Sequence, residues 1–388
     1  MRNHDLDTIS VDHLRRAGSV KWSTFPDCLG AWVAEMDFGT APAVTEALRA
    51  AVADACFGYL PIAKREAMAA ACAAWYQTAC GWEIPAERIH SVPDVIKVME
   101  VAIADYSPPG SKVIVPTPAY MPFLSVPQTL GREIIEVPMA VANGRWELDY
   151  AGIEAAFAGG GGLLILCNPL NPLGRVFTRD ELCRVSEIVD AYDGRVFADE
   201  IHAPITFPGH RHLPYASISD IAAGHTVTAI SASKAWNIPG LKCAQIVLTN
   251  DADAAIWDRI GFMAGHGAST LGVIANAAAY RSGGEWLGEV MSYLDGNRGL
   301  LAEMVGELLP EVGHVPAEGT YLAWLDFRPL GIEAEDLGAF FREHARVAVV
   351  NGRACGEAGL GFVRLNFAMP RPLLEQTVQQ LATAVKAA

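Results

Sequence analysis

The sequence predicts an α/β protein whose main sheet is largely parallel and covered on both faces. Three observations carry this. Continuous apolar runs at 162–168 (GLLILCN), 195–199 (RVFAD) and 226–231 (TVTAIS) read as buried strands. Segments of helical spacing alternate with them, as the crossovers of a parallel sheet require. Hydrophobic residues make up 51% of the 388 positions and charged ones 19%, so the chain can bury a sizeable core without disulfide staples.

The elements follow in order. Residues 42–57 (PAVTEALRAAVADACF) read as a helix, with Thr40 as its cap and Pro42 in the first turn, where a missing N–H costs nothing. Residues 63–80 form an Ala-rich helix that Gly81 can end. A third helix spans 94–106, and KVIVPTP (112–118) reads as a buried strand. The helix at 178–192 opens on Thr178 with Glu181 placed to complete a capping box. From about Gly284 the pattern changes to a long helical stretch, the strand-like TYLAWLDF (320–327), a helix, and FVRLNFA (362–368). The expected organisation is a large α/β domain over 40–285. A smaller α+β domain would combine 1–39 with 286–388.

Charge narrows the function classes. Twenty-nine basic against 44 acidic residues give a net charge of −15, which would repel nucleic acid and anionic membrane surfaces. The eight cysteines include no Cys-x-x-Cys pair, so they read as scattered thiols of a reducing compartment. The opening MRNHDLDTIS carries no apolar signal-like core, and no run approaches the ~18 apolar residues of a membrane span. A cytoplasmic protein is expected.

Ligands of parallel sheets bind beyond the carboxyl ends of the strands, and the chemically suggestive residues cluster there. Asp199 ends RVFAD and is followed by Glu200 and His202. Ser231, Ser233 and Lys234 follow TVTAI. Asn168 and Asn171 follow LLILC, and Tyr120 follows the strand at 112–118. Taken alone, Lys234 reads as a lysine with its stem on apolar surface and its head in water. The set reads otherwise. A lysine able to form a Schiff base, an acid to keep a pyridine nitrogen protonated, and an Asn-Pro-x-Gly turn are the parts of a pyridoxal 5'-phosphate site.

CNPLNPLGR, FADEIHAP, SASKAWNIPGLK, PTPAYMPF, FGY and GFVRLN stand in an order that resembles the fold-type I pyridoxal-phosphate enzymes. Lys21-Trp22, AWVAEMDF (31–38), DEIH (199–202) and TYLAWLDF (320–327) extend the likeness to the MalY/PatB group of cystathionine β-lyases, from about residue 20 to about 375. The resemblance implies a mainly parallel seven-stranded sheet between helices plus a smaller α+β domain. It implies Lys234 as the Schiff-base lysine, Asp199 at the pyridine nitrogen, and Asn171 at the ring hydroxyl with His202 nearby. Tyr120 would stack on the ring. Ser231, Lys242 and the backbone N–H groups of Val95 and Ile96 would hold the phosphate. Tyr59 would reach the phosphate of a neighbouring copy, which implies a homodimer. Arg364 would clamp the α-carboxylate of an amino-acid substrate in a fork that lysine cannot imitate.

The sequence departs from that group in three places. Asp94 stands in the phosphate cup, where its charge would repel a phosphate unless it turns away or Lys242 offsets it. Glu35 replaces an aspartate, and NGRACGEAG (351–359) differs near the substrate. His210 and His212 read as residues of a solvated loop, and Asp37 as structural. The activity implied is carbon–sulfur β-elimination from cystathionine or a cysteine S-conjugate, giving thiol, pyruvate and ammonia. An aminotransferase, a lyase for a bulky thioconjugate and a regulatory binding protein on the same scaffold are the alternatives.

Overall fold

The computed structural model of the chain describes residues 6–142, 144–332 and 335–388. Seven strands form the main sheet: β1 Ile89–Val92, β2 Lys112–Thr117, β3 Ile134–Pro138, β4 Gly161–Cys167, β5 Arg195–Asp199, β6 Thr226–Ile230 and β7 Ala244–Leu248. Their spatial order is β1-β7-β6-β5-β4-β2-β3. All neighbours are parallel except β7, which runs antiparallel to both β1 and β6. The largely parallel α/β sheet expected from the apolar runs is therefore present. The strands β1, β3 and β7 were not legible. Each is short, and β3 interrupts its apolar pattern with Glu136 and ends on Pro138.

Register does the functional work of this sheet. Cys167 of β4 pairs with Asp199 of β5, and Asp199 pairs with Ala229 of β6. The chain thus leaves three adjacent strands at one level, which brings Asn168, Glu200 and Ser231 to one edge.

The helices follow the sequence closely. Helix α1 spans Pro42–Ala53, α2 Ile62–Cys80, α3 Val95–Asp105, α4 Arg179–Ala191 and α5 Gly284–Leu308. Gly81 closes α2 at φ 72°, and the capping box of Thr178 and Glu181 opens α4. Two expectations are corrected. Thr40 does not cap α1, whose N-cap is Ala41; its hydroxyl donates to the Trp236 carbonyl instead. The helix stops at Ala53 rather than at residue 57, with Ala55 turning to φ 51°.

A second, antiparallel sheet has the order β8-β9-β11-β10, with β8 Gly313–His314, β9 Leu322–Asp326, β10 Val350–Asn351 and β11 Phe362–Asn366. Arg364 sits in the central strand, opposite Trp324 and Val350. Leu29–Gly30 pairs in parallel with Val347–Ala348, so the early chain lies beside this second sheet. All eight cysteines are free thiols, five of them buried. No described helix is long and apolar enough to cross a membrane.

Candidate active site

One cavity of about 270 Å³ lies at the carboxyl edge of the main sheet. Ten of the eleven residues expected at a cofactor site line it: Val95, Ile96, Tyr120, Asn171, Asp199, His202, Ser231, Lys234, Lys242 and Arg364. Tyr59 does not. It is 92% exposed and lies against the ring of His266.

Lys234 follows β6 in a turn that leaves its side chain half-buried on the cavity wall. Its Nζ donates to the Ala34 carbonyl at 3.0 Å. Burial above all, and then the Arg364 charge, push its pKa down to about 8. The free amine therefore becomes the majority form above about pH 8, well below where an ordinary lysine gives up its proton. Asp199 ends β5 in full burial, and Oδ1 accepts the Ile201 N–H at 3.1 Å. Burial raises its carboxyl to about 7. A cationic ring nitrogen placed beside it would reverse that desolvation cost and hold the carboxylate ionised. His202 is buried, with Nδ1 lacking any partner; burial and the charges of Lys234 and Arg364 keep the ring neutral.

Arg364 is only 2% exposed. Nη1 donates to Asn171 Oδ1 at 2.9 Å and Nη2 to the Trp32 carbonyl at 3.0 Å, while Nε has no partner. None of the described residues offers this guanidinium a carboxylate. A buried cation without an anion is costly, so the geometry suits an anionic ligand arriving from the cavity.

The far end of the cavity is built for an anion of another kind. Val95 and Ile96 open helix α3, so their amides have no carbonyl partner within the helix. Asp94 is the N-cap. Its Oδ1 takes the Lys97 N–H at 2.9 Å and its Oδ2 meets Lys242 Nζ at 2.9 Å. The acid is thus turned onto its own helix and neutralised by the lysine. The Ser231 hydroxyl donates to the Cys243 carbonyl and accepts the Ser233 N–H, so its proton is already committed. Ser233 also lines the cavity.

These residues fit a flat, phosphorylated heteroaromatic aldehyde. The cavity is lined by an anion site, a buried carboxylate, an unpartnered imidazole nitrogen and the aromatic face of Tyr120. Residue reading missed the carbonyls of Trp32 and Ala34 and the side chain of Met121, whose sulfur lies 4.0 Å from Arg364 Nη1. It also misplaced His212. That ring is buried and meets Glu200 Oε2 at 3.1 Å directly behind Asp199, rather than standing in a solvated loop.

The chain belongs to the aminotransferase class I and II family, whose sequence profile matches residues 29–381. Within it, the chain is similar to particular lyases. It is 38% identical to a cystathionine β-lyase of Corynebacterium glutamicum, over 97% of this chain and 99% of that one. It is 32% identical to the cystathionine β-lyase PatB of Bacillus subtilis, over 95% and 96%. The crystal structure of a candidate PLP-dependent β-cystathionase from Corynebacterium diphtheriae superposes with a TM-score of 0.92 at 41% identity, covering 97% and 98%.

Proposed function

We propose that this chain is a pyridoxal-phosphate-dependent carbon–sulfur β-lyase that cleaves cystathionine or a cysteine S-conjugate to thiol, pyruvate and ammonia. The observation that carries it is Arg364, a buried guanidinium without an anion, facing the same cavity as the buried amine of Lys234. An α-amino acid supplies what both lack, a carboxylate for one and an acidic Cα–H for the other. The names of the relatives support the lyase outcome.

Each residue then has a task. Lys234 would hold the cofactor aldehyde and, once freed by the substrate amine, take the Cα proton as general base. Bound at this site, the cofactor supplies an electron sink for the charge left on Cα. Asp199 would keep the ring nitrogen protonated, and Asn171 and His202 would hold the ring hydroxyl. Tyr120 would cover the ring. Val95, Ile96 and Lys242 would bind the phosphate, and Ser231 would join them only by turning its hydroxyl away from the Cys243 carbonyl. Arg364 would fix the α-carboxylate and so the direction of the Cα–H bond towards Lys234.

We also propose a homodimer. Tyr59, Phe57, Ile62, Phe262 and Met263 are each at least 66% exposed, and Tyr59 and Phe262 both lie against His266. Such an apolar patch suits a second copy, whose phosphate site Tyr59 would complete. Sedimentation of the protein as a monomer would remove this part of the reading. A division at 39/40 and 285/286 into large and small domains belongs to the same proposal.

The test is one assay on purified protein loaded with pyridoxal phosphate. L-cystathionine or an S-alkyl cysteine is added without any keto acid, and pyruvate and thiol are followed. Continuing release of both in equal amounts is expected. No pyruvate, but amino transfer once a keto acid is supplied, would make the protein an aminotransferase.

A further inference from the structure

Residues 31–39 cross between the two sheets, and their peptide groups are held almost one by one. The Trp32 carbonyl accepts Arg364 Nη2. The Val33 and Glu35 carbonyls both accept Asn366 Nδ2 at 2.7 Å. The Ala34 carbonyl accepts Lys234 Nζ and the Tyr321 hydroxyl, both at 3.0 Å. Asn237 takes the Met36 N–H and donates to its carbonyl, each at 2.9 Å. Two carbonyls of this strap, two residues apart, therefore hold the two cations on which the proposed reaction depends.

Lys21 lies beneath the strap with its side chain fully buried. Its Nζ donates to Asp37 Oδ2 at 3.0 Å, to the Ala368 carbonyl at 3.2 Å and to the Glu35 carbonyl at 3.3 Å. All three ammonium protons thus have acceptors. The other Asp37 oxygen accepts Trp22 Nε1 at 2.8 Å, and the Asp37 N–H bonds the Ala368 carbonyl. At Gly30 a Cβ would stand 2.5 Å from the Lys21 carbonyl, so the strap enters this corner only because glycine is there. A buried ion pair is weak evidence for stability, since desolvation offsets its attraction. Its directed bonds are a better account of its presence.

We propose that Lys21, through its buried pair with Asp37, is a positioning residue for Lys234 and Arg364. It sets the register of residues 32–37, and the carbonyls of Trp32 and Ala34 carry that register to the two cations. The inference rests on the lyase reading, because it gives those cations their tasks.

The experiment compares wild type with Lys21→Met/Asp37→Asn, a swap that removes both charges at similar volume and leaves the local net charge unaltered. The charges that act on Lys234 are Arg364, Glu35 and Asp199, and the swap touches none of them. A changed titration of Lys234 would then report geometry. The absorbance of the cofactor-loaded protein is titrated against pH, and KM and kcat are measured with an S-alkyl cysteine. The double variant is expected to move the absorbance midpoint by about one pH unit and to raise KM by roughly tenfold or more. A folded double variant that matches wild type in both overturns the positioning role. Trp22→Phe, which removes the indole donor to Asp37 and some core volume while keeping both charges, serves if the double variant does not fold. It should shift both readouts in the same direction by less, and wild-type values in it overturn the proposal. Wild-type protein that takes up no pyridoxal phosphate would overturn the lyase reading and this inference with it.

Discussion

Arg364 Nη1 donates to Asn171 Oδ1 at 2.9 Å, and this bond decides which way the carboxamide faces. With its oxygen committed to the guanidinium, Asn171 is left with its amide hydrogens for the cavity. One residue of the small antiparallel sheet thereby orients one beyond the main sheet. Replacing Arg364 by Ala should therefore have two effects. The specificity constant should fall by the roughly 2–5 kcal/mol of a lost buried charge contact, and the cofactor should bind more weakly as Asn171 is released. Steady-state kinetics and a cofactor titration check both. An unchanged specificity constant would remove Arg364 as the carboxylate anchor.

Lys234→Ala should abolish borohydride trapping of pyridoxal phosphate on the protein, as read by mass spectrometry. Trapping that persists would place the covalent site on another amine.

The neutral amine is the nucleophile, and burial brings the Lys234 pKa down to about 8. Below that pH the ammonium predominates and above it the free amine. The rate at which cofactor-free protein forms the borohydride-trappable adduct should therefore rise with pH and level off above about 8. A rate still climbing steeply past pH 10 would mean a lysine with an ordinary pKa.

Asp94→Asn should tighten cofactor binding. Asparagine caps a helix about as well as aspartate, so α3 keeps its first turn. Lys242 loses its present partner and the cup loses a negative charge beside the phosphate. The pair is partly exposed, so the gain should be modest, roughly two- to fivefold. Fluorescence quenching by pyridoxal phosphate reads the dissociation constant. Weaker binding in the variant would show that Asp94 supports the cup rather than opposing it.

Asp199→Asn should separate stability from function. Burial raises the Asp199 carboxyl from 3.8 to about 7. Between those values the folded chain holds a proton that the unfolded chain has released, so stability is lost as pH rises through that window. The cofactor-free variant should melt several degrees above wild type at pH 8 and close to it at pH 4. The holoenzyme should lose most of its rate, because the ring nitrogen has lost its anionic partner. A lower melting temperature at pH 8 would contradict the burial argument.

Much of the site was legible because its side chains sit at strand ends that the sequence marks plainly. RVFAD runs apolar until Asp199, and TVTAI runs apolar until Ser231, so the change of character locates the edge. The His212–Glu200 pair was illegible, since PGHRHLP has the composition of an exposed loop. The misassigned cap at Thr40 has a similar origin. Threonine before a proline-led helix is a sound local signal, but the Trp236 carbonyl competes for its hydroxyl.

The amino-acid sequence by itself determined the parallel sheet, pointed to the lysine, acid and asparagine proposed for the site, and indicated the class of cofactor they suit, while the arginine was suggested by the family resemblance. Those follow from local pattern and from side-chain chemistry, which the residue letters carry. Only the tertiary structure decided how the two cations are held. Their acceptors at Trp32 and Ala34 are backbone carbonyls, which every residue possesses. What selects them is the path of the strap over Gly30, Lys21 and Asp37, and that path exists only once distant parts of the chain have packed together.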